Sequence, residues 1–304
     1  MAESRILVVG ATGQLGSVIA GKLLKSGVPV RALARNAQKL ESVGRLGAET
    51  AAVDLLDLTK LTETCRGVAQ IIATANNNMG KGPTSPGRVD LTAYQNLCAA
   101  ARNTGVRRLV YVSYRGATPD AQVDIFRLKW HIQDAIRRSQ VPYVTLQPTR
   151  FMDVWIGQLL VDGIRKKGVT QIFGDGTAVS NYVAVADVAD FAVKVLARVD
   201  IVNEVIEFGG PSNVSFNDVA TLVEHQLGVP SKRRHIPVPV MKVLAPVIKP
   251  FNEVAARLIS LGLDSATNPA PFPEWRKTAE RFGLAPRSVD DYINKLTPVT
   301  SRTP

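Results

Sequence analysis

Residues 5 to 16 read Arg-Ile-Leu-Val-Val-Gly-Ala-Thr-Gly-Gln-Leu-Gly, an apolar strand that runs directly into a turn carrying three glycines and then into a helix expected over Leu15 to Lys25. Gly10 permits the tight turn off the strand. Gly13 lets backbone amides approach an anion with no Cβ in the way, and Gly16 lets the helix pack closely on the strand. The unpaired N–H groups of the first helical turn and the positive end of the helix dipole then face that anion. A chain with this segment contains a βα unit with a phosphate-binding end. Thr12, Gln14 and Leu15 join the three glycines as candidate cradle residues.

Strand and helix signals keep alternating beyond it. Strands are expected at Val30 to Ala34, Glu49 to Val53, Gln70 to Thr74, Arg108 to Ser113 and Tyr143 to Gln147, with helices at Gln38 to Leu46, Leu58 to Cys65, Leu91 to Asn103 and Asp124 to Ser139. Strands separated by helices of this length predict an α/β fold: a doubly wound parallel sheet with right-handed crossovers and helices on both faces. The sequence places this dinucleotide-binding domain at residues 1–150. A smaller, discontinuous C-terminal lobe follows at 151–304, from which about 186–210 returns to the sheet. In that lobe helices are expected at Val154 to Lys166, Ala186 to Arg198 and from a Ser215 cap to about Leu227, with a turn at Gly174-Asp175-Gly176 and a strand at Glu204 to Phe208. Prolines at 230, 237, 239, 246 and 250 interrupt an apolar stretch, Val238 to Leu263, for which a core role, a lid and a surface contact are all open.

With 304 residues, 45% of them hydrophobic, the chain can build a full core. Cys65 and Cys98 lie in helical segments without metal-ligand spacing, so neither a disulfide framework nor a zinc site is expected, and a reducing, cytoplasmic compartment follows. No apolar leader and no apolar run of roughly 20 residues is present, which argues against secretion and membrane spanning. The net charge is +11, and from Gly228 onward 12 Lys and Arg stand against 6 Asp and Glu. The triple Lys232-Arg233-Arg234 reads first as a solvated loop. No aromatic-interleaved basic stripe occurs, so direct nucleic-acid binding is not expected. The segment 232–263 is instead a candidate surface for a protein partner or a peripheral membrane contact.

The acidic residue that grips the adenosine ribose in NAD-selective folds belongs at the end of the second strand, and here that place is Arg35. A guanidinium cannot accept from a 2′-hydroxyl, but its planar fork suits a 2′-phosphate, so NADP(H) is the expected cofactor. Arg31 and Lys39 are positioned to add positive charge. Asp54 and the N–H of Leu55 are candidates for the adenine edge, with helix capping the competing role for Asp54. Thr74, Ala75 and Asn76 end the fourth strand, where small residues leave room for the cofactor, although Asn76-Asn77-Asn78 also reads as a mobile loop.

The glycine turn Gly10 to Gly16, the strand end Val30 to Asn36, Tyr111-Val112-Ser113, Lys129 and Gln147-Pro148-Thr149-Arg150-Phe151-Met152 together resemble the NmrA-like branch of the atypical short-chain dehydrogenase/reductase family. The resemblance covers most of the first 210 residues and is loose beyond Pro211. It implies a Rossmann domain, NADP(H) binding and a small lobe that forms a substrate cleft. It also assigns Ser113 as the active-site serine, Lys129 to the nicotinamide ribose and to charge near a developing oxyanion, and Pro148 and Phe151 to the nicotinamide face. Members include quinone and phenylcoumaran or isoflavone-type reductases, and regulators that bind the dinucleotide without turning it over.

One departure bears on the chemistry. Short-chain dehydrogenases carry a tyrosine four residues before the lysine; here that position is Ile125. Tyr114 follows Ser113, but strand alternation points the two to opposite faces unless the chain bends. His131 lies about 200° around the helix from Lys129, and His225 and His235 lack ligand spacing, so no metal site is expected. The expected function is hydride transfer from NADPH to a small hydrophobic acceptor such as a quinone or conjugated carbonyl, with Lys129 and Ser113 as the catalytic residues. The alternative is a non-catalytic NADP(H) sensor or assembly protein.

Overall fold

The computed structural model describes residues 5–297. They divide into two compact units, one running through Gln147 and resuming over Val188–Glu207, the other made of Pro148–Asp187 and the chain from Phe208 onward.

In the first unit the strands and helices alternate as β1 (Ile6–Val9), α1 (Gln14–Lys25), β2 (Val30–Ala34), α2 (Ala37–Gly44), β3 (Glu49–Ala52), α3 (Leu58–Cys65), β4 (Gln70–Ala73), α4 (Pro86–Asn103), β5 (Arg108–Val112), α5 (Asp124–Arg138) and β6 (Tyr143–Pro148). With the strand Glu204–Phe208 they form one seven-stranded sheet, in the order Glu204–Phe208, β6, β5, β4, β1, β2, β3. The ladders of β1 through β6 are parallel, with Ile6 opposite both Val30 and Gln70. The seventh strand runs the same way: Asn203 N donates to Tyr143 O near one end and Thr149 N to Phe208 O near the other.

Burial explains why these segments are strands. β1, β2, β4 and β5 are buried along their whole length, as the two covered faces of a parallel sheet require, whereas the edge strand β3 exposes Glu49, Thr50 and Ala52. α1 turns Leu15, Ile19, Ala20 and Leu23 inward at helical spacing. α4 begins at Pro86 rather than at the expected Leu91, because a proline at the first helical position lacks only an N–H that would be unpaired anyway. The end of the helix Val185–Ala197 is closed by a buried arginine. Arg108 donates through Nη2 to Val195 O and Leu196 O at 3.0 and 2.9 Å, through Nη1 to Arg198 O and Ile201 O at 2.6 and 2.8 Å, and to Gln70 Oε1. Arg198 N also donates to Val195 O and Gln70 Nε2 to Leu196 O, so the guanidinium shares in pairing the carbonyls at and just beyond the helix end.

The second unit departs from several expectations. The segment expected as one helix from Val154 is a nine-residue π-helix, Asp153–Val161, continued by a short α-helix, Asp162–Lys167. Two strands that sequence reasoning missed flank the Gly174 turn: Val169–Phe173 and Val179–Val183. The basic triple is not a solvated loop. Lys232–Ile236 is a strand parallel to Val169–Phe173, and Arg233 reaches Glu224 Oε2 at 2.7 Å. A second small sheet pairs Val179–Val183 antiparallel with Asn213–Ser215 and parallel with Arg150–Phe151. Ser215 caps the helix Phe216–Leu227 through a reciprocal pair with Asp218. The apolar stretch forms two helices, Val238–Ile248, with Pro246 inside it, and Glu253–Thr267, and Pro250 lies in the turn between them. Only one face of each is buried, at Met241, Ala245 and Ala256; Val243, Val247 and Phe251 are exposed.

Candidate functional site

The carboxyl ends of β1, β2, β4 and β5 carry most of the residues marked in the sequence. Gly10 has φ +85°, and a Cβ on it would stand 2.8 Å from Ala75 N; a Cβ on Gly16 would stand 2.2 Å from Gly10 O. Both positions therefore demand glycine for the turn and for the approach of α1. Gly13 differs. It caps α1 in an extended conformation, and an added Cβ would meet only Gly10 O, at 3.3 Å. No side chain caps this helix and its first turn holds no acidic residue, so the amides of Gln14, Leu15 and Gly16 end the helix without a competing anion of the chain's own. Thr12 is half-buried and Gln14 exposed beside them, while Leu15 is buried. These residues fit a diphosphate.

At the end of β2, Arg35 is exposed and donates from Nη2 to Asn77 Oδ1 at 3.2 Å. Arg31 does not join it: its guanidinium is buried, with Nη1 donating to Thr64 O and Arg66 O and Nε 2.9 Å from Glu49 Oε1. Lys39 is exposed on α2. Asp54 is not a helix cap, since Asp57 caps α3. Asp54 Oδ1 instead accepts from Leu56 N at 2.9 Å, in a tight turn that leaves its carboxylate exposed, and Leu55 is buried next to it. Thr74 Oγ1 donates to Val9 O at 3.0 Å, and Ala75 O accepts from Tyr94 Oη at 2.7 Å.

The asparagine run after Ala75 is tied down at several points. Asn76 Oδ1 accepts from Asn78 N at 3.3 Å, Asn77 N donates to Asp90 Oδ2 at 3.2 Å, and Asn78 Nδ2 donates to Tyr114 Oη at 3.0 Å. The run is a loop, linked by these bonds to Asp90 and Tyr114. Asp90 went unnoticed in the sequence, yet the signal was there. It is a carboxylate on the same helical stripe as the buried Ala93, Tyr94, Leu97 and Cys98 of α4.

Lys129 is not a helix-surface lysine: it is only 2% exposed on α5. Its Nζ lies 5.4 Å from the ring centroid of Tyr111 and 5.6 Å from that of Tyr114. Burial lowers its pKa from the usual lysine value to about 8, and the charge of Asp90 opposes that fall. Because β5 ends at Val112, the chain is no longer in strictly alternating conformation at Ser113 and Tyr114, and Tyr114 turns its ring to the lysine. Ser113 is 1% exposed, and its Oγ accepts from Gln133 Nε2 at 2.7 Å. Gln133 Oε1 in turn accepts from Gln147 Nε2 at 2.9 Å, so a chain of two amides fixes the hydroxyl. Ile125, where a tyrosine would stand in the wider family, is buried. Pro148 ends β6 and Phe151 is half-buried opposite Val183; both belong to the second unit. Cys65 and Cys98 are free and buried, and burial pushes their thiols up to about 12 and about 11. His131, His225 and His235 are exposed, and no helix among the described residues is long and apolar enough to cross a membrane.

A sheet whose strand order reverses between β1 and β4, beside an α1 that carries no cap of its own, is that of a Rossmann-type dinucleotide-binding protein. The chain belongs to the NAD(P)H-binding family, whose profile matches residues 10–198. Among curated proteins it is 30% identical over 226 residues to an NAD(P)H azoreductase of Xenophilus azovorans, covering 74% of each chain. It is 26% identical over 308 residues to the photosystem II assembly factor Ycf39 of Guillardia theta, covering 96% of this chain and 95% of that one. Among solved structures it is similar to the NADPH-dependent quinone oxidoreductase QOR2 of Escherichia coli complexed with NADPH, with a TM-score of 0.78 and 19% identity, covering 95% of this chain and 98% of that one.

Proposed function

We propose that the protein is an NADPH-dependent reductase that transfers hydride to a small apolar acceptor such as a quinone or conjugated carbonyl. The observation that carries this reading is the buried Lys129 ammonium, which lies over the phenol rings of Tyr111 and Tyr114 with its pKa lowered to about 8. A cation kept out of water interacts with a developing oxyanion far more strongly than a solvated one does. The amino end of α1 holds the diphosphate, and Arg35 meets the 2′-phosphate in place of its bond to Asn77. When bound, the reduced nicotinamide supplies the hydride. Lys129 stabilises the negative charge that appears on the acceptor oxygen, water completes the protonation, and the Gln147–Gln133–Ser113 chain orients the serine hydroxyl at the same strand end. The azoreductase and quinone oxidoreductase relatives support the reductase reading. A reducing, intracellular compartment goes with it, consistent with two unpaired buried thiols.

The test is to incubate the protein with NADPH and a panel of quinones and enals while following absorbance of the reduced nicotinamide. Turnover supports the proposal. Clear NADPH binding without turnover of any acceptor overturns it in favour of a dinucleotide sensor of the assembly-factor kind.

A further inference from the structure

The helices Val238–Ile248 and Glu253–Thr267 of the second unit pack on each other, yet the first of them is apolar on both sides. Met241 and Ala245 are buried, four residues apart. On the other side Val240, Val243, Leu244 and Val247 are exposed at positions i, i+3, i+4 and i+7, which make one continuous helical stripe. Val243 and Val247 leave 66% and 60% of their surface in water, and in the turn that follows Phe251 is 88% exposed. Leu258 is exposed on the second helix. Single apolar side chains in water need no explanation, but a stripe of four with a phenylalanine beyond its end marks a surface that something else covers.

Charge indicates what that is. From Pro237 to Asn252 the chain carries Lys242 and Lys249 and no acidic residue. Both lysines are exposed, and helical geometry puts them roughly 150° or more around the axis from the middle of the stripe. The acids of the second helix are each faced by an arginine: Glu253 Oε2 lies 4.0 Å from Arg257 Nη2, and Asp264 Oδ2 lies 3.8 Å from Arg150 Nη2. An apolar stripe on one side of a helix, with lysines on the other, is the arrangement of a helix lying in the plane of an anionic lipid surface, its ammonium groups at the level of the phosphates. With 11 residues the helix is roughly 16 Å long, about half of a ~30 Å hydrocarbon core, so it lies on such a surface and does not cross it. A second copy of this chain fits the stripe less well, because each copy brings a net charge of +11.

We propose that this helical hairpin docks the protein on anionic membranes, with Val243, Val247 and Phe251 among the acyl chains and Lys242 and Lys249 at the lipid phosphates. The docking does not depend on the reductase reading. In the test the full chain is mixed with vesicles of phosphatidylcholine, alone or with about one-third phosphatidylglycerol, and the bound fraction is read by flotation. The anionic vesicles are expected to bind at least about tenfold more tightly, a preference that about 1 M salt removes. Phe251→Ser, and Val243→Ser combined with Val247→Ser, are each expected to weaken binding about tenfold or more, with the melting temperature unchanged because the side chains removed are exposed. Lys242→Gln combined with Lys249→Gln is expected to abolish most of the preference for phosphatidylglycerol. Phe251→Trp reads depth: bromine atoms on the acyl chains are expected to quench that tryptophan beyond any quenching of the native Trp130, Trp155 and Trp275. Failure to bind either vesicle, equal binding to both, or flotation that the serine variants leave unchanged overturns the proposal. A dimer in sedimentation equilibrium that the Val243→Ser, Val247→Ser variant dissociates, without flotation of the native chain, assigns the stripe to a second copy and also overturns it.

Discussion

The buried lysine makes a demand on stability that can be read as a function of pH. Lys129 has a pKa of about 8 in the folded protein against a reference of 10.5, so the folded chain gives up its proton at lower pH than the unfolded chain. Below pH 8 both states carry the charge, and the fold bears the full penalty of keeping it out of water. Between about pH 8 and 10.5 the unfolded state binds more protons, so this group makes stability rise with pH. At about 1.4 kcal/mol per pKa unit the total gain is about 3 kcal/mol. Other groups move the opposite way in that range, because burial raises the thiols of Cys65 and Cys98 and the phenols of Tyr94 and Tyr111. The measurement must therefore be a difference. Urea unfolding of the native protein and of Lys129→Met is followed from pH 7 to 10.5, and the native-minus-variant stability is expected to climb by about 3 kcal/mol. Any constant offset from the carboxylate of Asp90, left without its cation, drops out of the slope. The same proton governs the rate: kcat/KM for the preferred acceptor is expected to fall with an apparent pKa near 8, and Lys129→Met to lose that limb together with most of the activity. A flat difference curve, or an alkaline limb that persists in Lys129→Met, refutes the argument.

Arg35→Asp is expected to weaken NADPH binding about 10- to 100-fold while changing NADH binding by less than about threefold, which titration by fluorescence measures; equal losses remove the case for phosphate selectivity. Gly16→Ala places a Cβ 2.2 Å from Gly10 O, so both the melting temperature and affinity for either dinucleotide are expected to drop; a variant with unchanged melting and binding contradicts the close approach of α1. Arg108→Ala removes the buried guanidinium that donates to the carbonyls of Val195, Leu196, Arg198 and Ile201 and is expected to cost about 3 kcal/mol in denaturant unfolding, whereas Lys39→Ala on the exposed face of α2 changes stability by less than about 0.5 kcal/mol.

Local signals were enough for the dinucleotide-binding half. The three glycines, the continuous apolar runs of β1, β4 and β5 and the helical spacing on α1 each follow from short-range geometry, so the alternation of strands and helices and the phosphate-binding end could be argued from residues close together in the chain. The strands Val169–Phe173 and Lys232–Ile236 could not. Each has polar or charged residues along it and becomes a strand only by pairing with the other, some sixty residues away. The prolines of Val238–Ile248 misled for a different reason: one stands in the first helical turn, where its N–H would be unpaired anyway, and Pro246 lies in the last turn on the exposed side, where water reaches the carbonyl it leaves unpaired.

What the order of residues determined alone was a βα phosphate cradle within a doubly wound sheet, an arginine where an acid would select NAD, and the absence of a tyrosine at position 125. Tertiary structure decided the charge state of the site and the fate of its arginines. Whether Lys129 is a solvated cation or a buried one with a lowered pKa depends on Asp90 of α4, Tyr111 of β5 and Tyr114 in the loop after it. Whether Arg31 or Arg35 is available to a ligand depends on which carbonyls and carboxylates the fold brings to each guanidinium. Electrostatic energies depend on burial and on distances between groups remote in the chain, and neither quantity is defined until the chain has folded.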